Sequence, residues 1–194
     1  MGYNTMDRRV SKTKKAIQEA YFLLLKEDRK KRISISEITR EANVDRKTFY
    51  LHYTSVEDVI REFAESKVDE LIERVFSLEF PADQLAVRVF TVFNQMIGEY
   101  KDILRLLSDS DAYDYFFGQT KSLLVDRILE GNTVDPEGFT RPQIEIYVEY
   151  FISGIISAYM RWIRQELPCT IEELAEHVGT VTFGGIRAIS GKSI

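Results

Sequence analysis

The stretch ISEITREANVDRKTFYLHYTSVED, Ile35–Asp58, decides the fold, because two short helical patterns meet in it at a tight turn. Ile35, Ile38 and Ala42 recur at helical spacing and predict a short amphipathic helix. Asn43 then stands where the backbone must turn, and Asn tolerates the left-handed conformation that such a turn needs. Asp45 is a good N-cap for the helix that follows.

The second segment of this stretch has two different sides. Its apolar side predicts contact with the protein core and carries Phe49, Leu51, His52 and Tyr53. Its other side is polar and basic and carries Arg46, Lys47, Thr48 and Tyr50. An outward basic face on the second helix of such a pair predicts a helix-turn-helix that reads DNA.

Charge is divided unevenly along the 194 residues. Residues 1–55 contain 13 Lys and Arg against 7 Asp and Glu, whereas the remaining residues contain 13 against 24. The basic N-terminal part is therefore the nucleic-acid candidate, and the acidic remainder argues against indiscriminate binding.

Over about 45 residues, the order and spacing around ITREANVDRKTFYLHYTSVEDVI resemble the DNA-binding domain of the TetR/AcrR family of bacterial transcriptional regulators. In that family a Thr-Phe-Tyr-x-His-Phe segment precedes a long fourth helix. The resemblance implies an all-α fold: a three-helix helix-turn-helix DNA-binding domain (1–55), a connecting helix (56–80) and a helical bundle for effector binding and dimerisation (81–194). It also implies a homodimeric, ligand-responsive regulator, usually a repressor, whose partners are a double-stranded DNA operator and a small molecule.

The DNA-contacting residues that follow from the basic face and the resemblance are Lys14, Lys15, Ser36, Arg46, Lys47, Thr48, Tyr50, His52 and Tyr53. The main alternative is an all-helical protein-interaction adaptor that does not bind DNA, in which the TFYLHY segment is simply core. Activation in place of repression is also open.

Helical periodicity continues along the chain, and no convincing strand pattern occurs. Helix one is predicted over about Ser11–Lys26, with Ala16, Ala20, Leu23 and Leu24 facing the core. Helix four is predicted from the capping box Ser55–Asp58 to about Phe76. The later helices are predicted over residues 85–99, 103–107, 113–129, 142–166 and 171–189, with a break near Pro81 and a loop over 131–140.

The C-terminal half is rich in aromatic residues, which are either core or the lining of an apolar effector pocket. The pocket candidates are Phe90, Phe93, Tyr113, Phe117, Tyr147 and Phe151. Small residues on one face of FISGIISAYMRW would let another helix approach closely, and in the TetR family the final two helices form the dimer. The interface candidates are Gly154, Ala158, Leu174, Val178 and Val181.

Catalytic and metal chemistry have no positive support in the sequence. His52 and His177 lie in separate segments without a Cys/His cluster, and Cys169 has no nearby base. We therefore predict no enzyme activity, no metal and no cofactor. The single cysteine fits a reducing cytoplasm, and the uncharged stretch Tyr150–Met160 is too short for a membrane helix, so a cytoplasmic protein without membrane association is expected.

Overall fold

The computed structural model describes residues 3–28, 32–77, 85–130 and 139–190, and within these ranges it is entirely helical. Its helices are α1 (Tyr3–Glu27), α2 (Ile35–Glu41), α3 (Arg46–Tyr50), α4 (Val56–Ser77), α5 (Leu85–Ser108), α6 (Tyr113–Glu130), α7 (Arg141–Ile163) and α8 (Ile171–Ser190). The all-α prediction is confirmed.

The chain forms two compact units. The first unit comprises residues 1–64 and 106–116, and the second comprises 65–105 and 117–194. The long helices α4 and α5 each contribute residues to both units. The proposed functional division at residues 55 and 80 remains a prediction.

In the first unit, α1 packs against α2 and α2 against α3. The side chains that fill its core come from all four N-terminal helices and include Ile17, Tyr21, Leu25, Ile38, Phe49, Val59 and Phe63. Ala20 is buried as predicted, but Leu23 is 46% exposed. The inward stripe of α1 therefore runs through Ile17, Tyr21 and Leu25, and the predicted face was wrong at Leu23.

In the second unit, one apolar cluster joins α4, α5 and α6. Its buried members are Val68, Leu71, Val75, Val92, Met96 and Leu124, and Ile152 and Ile156 of α7 pack against it. The aromatic end of α7 is also buried, with Tyr159 at 0% exposure. Helices α7 and α8 pack against each other.

Several helix boundaries differ from the sequence predictions. Helix α1 begins at Tyr3, earlier than Ser11, and α5 is one continuous helix where two segments were predicted. The apolar stripe of α5 continues through Ile97, Leu104 and Leu107, all buried, so packing sustains the helix across the polar residues between them. The predicted break at Pro81 and residues 131–138 of the predicted loop lie outside the described residues.

Candidate nucleic-acid interface

Local hydrogen bonds fix the turn between α2 and α3. Ser34 caps α2 in a capping box: the Glu37 amide donates to Ser34 Oγ at 3.4 Å, and the Ser34 amide donates to Glu37 Oε2 at 3.0 Å. Asn43 has φ 52°, which confirms the predicted left-handed residue. The Val44 amide closes the turn by donating to the Thr39 carbonyl oxygen at 3.0 Å. These contacts hold α3 at a fixed angle to α2.

Asp45 is the N-cap of α3, as predicted. Its Oδ1 accepts a hydrogen bond from the Thr48 amide at 2.7 Å. This bond, supported by the nearby Lys47 charge, lowers the pKa of the Asp45 carboxyl group. An ionised cap is also favourable at the positive end of a helix, so α3 is short but well anchored.

Phe49 of α3 and Tyr53, three residues beyond the end of the helix, form the inward side of this segment. Phe49 is fully buried, Tyr53 is 3% exposed, and their ring centroids are 5.5 Å apart. The opposite side, the α3 outer face, consists of Arg46, Lys47, Tyr50 and Leu51, all exposed. Leu51 was predicted to face the core, and this was wrong: it is 78% exposed. Since Phe49 and Tyr53 stand four residues apart, they share a face and leave Leu51 pointing away from it.

The Glu62 network, which consists of Lys14, Tyr53 and Glu62, ties the end of the α3 segment to α1 and α4. Tyr53 Oη donates a hydrogen bond to Glu62 Oε2, and Lys14 Nζ donates to Glu62 Oε1 at 2.7 Å. Burial raises the pKa of the Tyr53 hydroxyl, and the bond to Glu62 raises it further. Tyr53 was predicted to contact DNA, but its side chain is buried and its hydroxyl is occupied within the protein.

The remaining predicted DNA residues take different positions. Ser36 and Lys15 are exposed, Thr48 and His52 are half-buried, and Lys15 Nζ lies 3.8 Å from Glu19 Oε1. Lys14 is drawn toward Glu62, whereas Arg46 and Lys47 form no ion pair with any residue that the structure describes. The structure thus brings Arg46, Lys47, Thr48 and Tyr50 together on one short element.

The six aromatic pocket candidates are divided between the two units. Tyr113 belongs to the first unit, and the other five belong to the second. Phe90 stacks edge-on against Phe183 with centroids 5.5 Å apart, and Phe93 does the same against Tyr159 at 5.1 Å. The Tyr147 ring packs edge-on against Phe139 with centroids 5.8 Å apart, and the Phe151 ring lies over Gly185. The remaining pocket candidate, Phe117, is buried. Most of these rings therefore serve helix packing.

A polar pair inside the second unit was missed by the sequence reasoning. Tyr159 Oη donates a hydrogen bond to Asn94 Oδ1, and Asn94 Nδ2 donates to the Phe90 carbonyl oxygen at 2.7 Å. Burial raises the pKa of Tyr159 to about 12, so the hydroxyl stays protonated and remains a donor. An Asn within the apolar run of α5 was the sequence signal for this pair.

The five predicted interface residues divide into exposed and buried positions. Val181 is 70% exposed, Gly154 is exposed, and Ala158 and Val178 are half-buried. Leu174 is only 5% exposed within this chain, so its side chain offers little surface to a second subunit, and its place in an interface stays a prediction. A Cβ atom at Gly154 would meet no described heavy atom within 4 Å. Gly154 continues an exposed row with Ile146, Tyr150 and Ser157, which we call the α7 stripe.

The residues that the structure describes contain no cluster of three or more His, Cys, Asp or Glu side chains placed to hold a metal ion. None of their helices combines the length and apolar character needed to cross a membrane.

An outward basic face on a capped helix-turn-helix, followed by a helical bundle, is the architecture of a DNA-binding regulator, and comparison with known proteins agrees. Residues 82–184, more than half of the chain, match a TetR-type family described as "Transcriptional regulator C-terminal region". The chain belongs to the TetR family of transcriptional regulators. The family and its structural relatives are regulators and not enzymes.

Individual relatives extend this comparison. The uncharacterized HTH-type transcriptional regulator YxbF of Bacillus subtilis (strain 168) is 33% identical over 101 residues. That match covers 47% of this chain and 27% of the relative, so the chain spans only about a quarter of the relative's length. A TetR transcriptional regulator from Streptococcus agalactiae 2603V has a similar structure, with a TM-score of 0.60, 25% identity and coverage of 92% of this chain and 97% of that one.

A second solved structure shares the fold alone. It is the dihydroxyacetone kinase operon activator DhaS, with a TM-score of 0.59, 18% identity and coverage of 91% of this chain and 97% of its own.

Proposed function

We propose that the protein is a homodimeric repressor that binds a double-stranded DNA operator through α3 and is released by a small apolar or aromatic effector. The observation that carries the DNA part is the α3 outer face. Arg46 and Lys47 lie exposed on a helix whose other side is anchored by Phe49, so two cations and Tyr50 are presented together. Arg and Lys on such a helix can contact both phosphates and the edges of guanine.

The dimer part is supported by apolar surface on the last two helices. On the α7 stripe, Ile146 is 65% exposed and Tyr150 is 71% exposed, with Gly154 and Ser157 one and two turns further on. Val181 adds an exposed apolar side chain on α8. Large apolar residues flanked by small ones suit close packing of helices from a second subunit. Two α3 helices held about 34 to 36 Å apart would match successive major grooves.

The effector part is supported by the Asn94–Tyr159 pair among the aromatic residues of the second unit. Tyr159 fixes the orientation of the half-buried Asn94, whose amide keeps one N–H beyond its bond to the Phe90 carbonyl oxygen. That N–H can orient a ligand that is itself mostly apolar. Such a ligand would release the operator if it preferred a subunit conformation with a different spacing of the two α3 helices.

The experiment that tests this function is selection of bound sequences from random duplex DNA, followed by affinity measurements on the selected operator. We expect a two-fold symmetric operator whose half-site centres lie about one helical turn apart, or a multiple of that. Thr48→Ala and Tyr50→Ala should weaken operator binding by about 1 to 3 kcal/mol each without lowering the melting temperature. Failure to enrich any duplex sequence would overturn the proposal and favour the protein-interaction adaptor.

The direction of regulation requires a separate assay, because DNA binding alone does not distinguish a repressor from an activator. The relevant measurement is transcription in vitro from a promoter that carries the selected operator. We expect the protein to lower transcript yield, and apolar or aromatic compounds that shift its melting temperature to restore it. A rise in yield on adding the protein alone would make it an activator, the role named for the structural relative DhaS.

A further inference from the structure

Leu51 holds a fixed position at the end of α3. It is the C-cap residue, with φ −71° and ψ −20°, and its amide donates to the Lys47 carbonyl oxygen at 3.0 Å. Its side chain therefore belongs to the same rigid element as the rest of the α3 outer face. Since Leu51 stands four residues after Lys47, the two side chains occupy the same face of the helix.

The exposure of Leu51 matters because of where it occurs. A single exposed leucine on a protein surface is ordinary. Leu51, however, is 78% exposed beside Tyr50, which is 51% exposed, on the element that also presents Arg46 and Lys47. If the cations draw this face to DNA, as the proposed function requires, the leucine will be buried against the groups that the DNA presents there.

The major groove presents one apolar group, the C5-methyl group of thymine. A leucine side chain packed on that methyl group removes apolar surface from water on both molecules. The same side chain packed on cytosine N4 or guanine O6 would cover a polar base edge without bonding it, which is unfavourable. A leucine in the groove would thus discriminate between bases without forming a hydrogen bond with them.

We propose that Leu51 is a specificity-determining residue that selects a thymine in each operator half-site by contact with its methyl group. This inference rests on the proposed DNA-binding function. It predicts that the operator contains a thymine near the base edges that Lys47 reaches, since Lys47 and Leu51 share one helical face.

The test uses the selected operator with deoxyuridine in place of thymidine, one symmetry-related pair of positions at a time. Uracil keeps every hydrogen-bonding group of thymine and lacks only the methyl group. Wild-type protein should lose about fourfold in affinity per half-site at one pair of positions, the value expected for one buried methyl group. Leu51→Ala should bind the thymine operator more weakly and lose almost nothing further on the change to uracil.

Lys47→Ala provides the matched control, because it lies on the same face and is also exposed. It should weaken binding overall and keep the full sensitivity to the methyl group. The inference is overturned if no thymine pair is methyl-sensitive in the wild type, or if Leu51→Ala keeps the same sensitivity. An absence of any duplex binding by the wild type is a different result, since it removes the proposed function as well.

Discussion

The hydroxyl group of Tyr53 donates a hydrogen bond to Oε2 of Glu62, and Lys14 Nζ donates one to Oε1 of the same carboxylate at 2.7 Å. One glutamate on α4 therefore bonds both Tyr53, which lies just beyond the end of α3, and a lysine of α1. Both side chains were candidates for DNA contact, and both are engaged by Glu62 within the protein.

Replacement of Tyr53 by Phe should destabilise the protein while leaving DNA recognition largely intact. It removes a part-buried hydrogen bond to a charged acceptor, a loss of about 1.5 to 3 kcal/mol in the free energy of unfolding. Urea unfolding and operator affinity at a temperature where the variant is fully folded give the two readouts. Tyr50→Phe, at an exposed position, is the control and should keep normal stability. Unchanged stability with a large loss of affinity in Tyr53→Phe would instead make Tyr53 a direct DNA contact.

The salt dependence of operator binding should distinguish Lys47 from Lys14. Each neutralised phosphate contributes about −0.9 to the slope of log affinity against log salt concentration. Lys47→Ala should reduce the slope by about that amount per subunit. Lys14→Ala should reduce it less, because the Lys14 ammonium group lies 2.7 Å from Glu62 and its charge is largely matched there. Equal slope changes for the two variants would show that DNA displaces Glu62 from Lys14.

Acid should remove the stabilising effect of the Asp45 cap. The hydrogen bond from the Thr48 amide lowers the pKa of Asp45 in the folded protein. The ionised Asp45 cap therefore contributes fully to the free energy of unfolding above the pKa of the unfolded chain, about 3.9. This contribution disappears as the pH falls through the lower pKa of the folded protein. The wild type should melt at a higher temperature than Asp45→Asn at pH 6, and this difference should shrink below pH 4. A difference that does not depend on pH would mean that ionisation of Asp45 contributes nothing to the cap.

Charge on the exposed apolar surface of α7 and α8 should separate the subunits. Tyr150→Asp and Val181→Asp place a carboxylate at positions that are 71% and 70% exposed, so the fold should survive while an apolar contact with a second subunit should not. Light scattering measures the mass, and operator binding is measured on the same sample. A monomer should also lose most specific affinity for the operator, because two linked half-site contacts gain from effective concentration.

Leu23→Asp is the control, since it also places a carboxylate at an exposed apolar position but on α1, and this variant should remain dimeric. Dimeric Tyr150 and Val181 variants would place the interface elsewhere.

Two adjacent glycines of α8 should respond oppositely to alanine. A Cβ atom at Gly185 would lie 2.9 Å from Phe151 Cζ, whereas one at Gly184 would meet no described heavy atom within 4 Å. Gly185→Ala should cost about 1 to 3 kcal/mol through overpacking. Gly184→Ala should gain about 0.5 to 1 kcal/mol from the lower entropy of the unfolded chain. Thermal unfolding at one protein concentration compares them, and equal stabilities would show that the Phe151 ring moves aside without cost.

The sequence by itself determined the local backbone geometry around α3. Three local features were predictable: the left-handed Asn43, the Asp45 cap and the capping box of Ser55 and Asp58. Each depends only on backbone conformation or on hydrogen bonds within four residues. The residue pattern around the TFYLHY segment likewise pointed to the TetR family, which the comparisons show.

Only the tertiary structure decided which side chains of these helices face inward. Leu51 and Leu174 have the same apolar character, yet Leu51 is exposed and Leu174 is buried, because the neighbouring helices cover one position and not the other. The pairing of Lys14 with Glu62 joins residues 48 positions apart. Hydrophobic periodicity is a property of one helix, whereas such contacts depend on how several helices pack, and this packing is not encoded in any single segment.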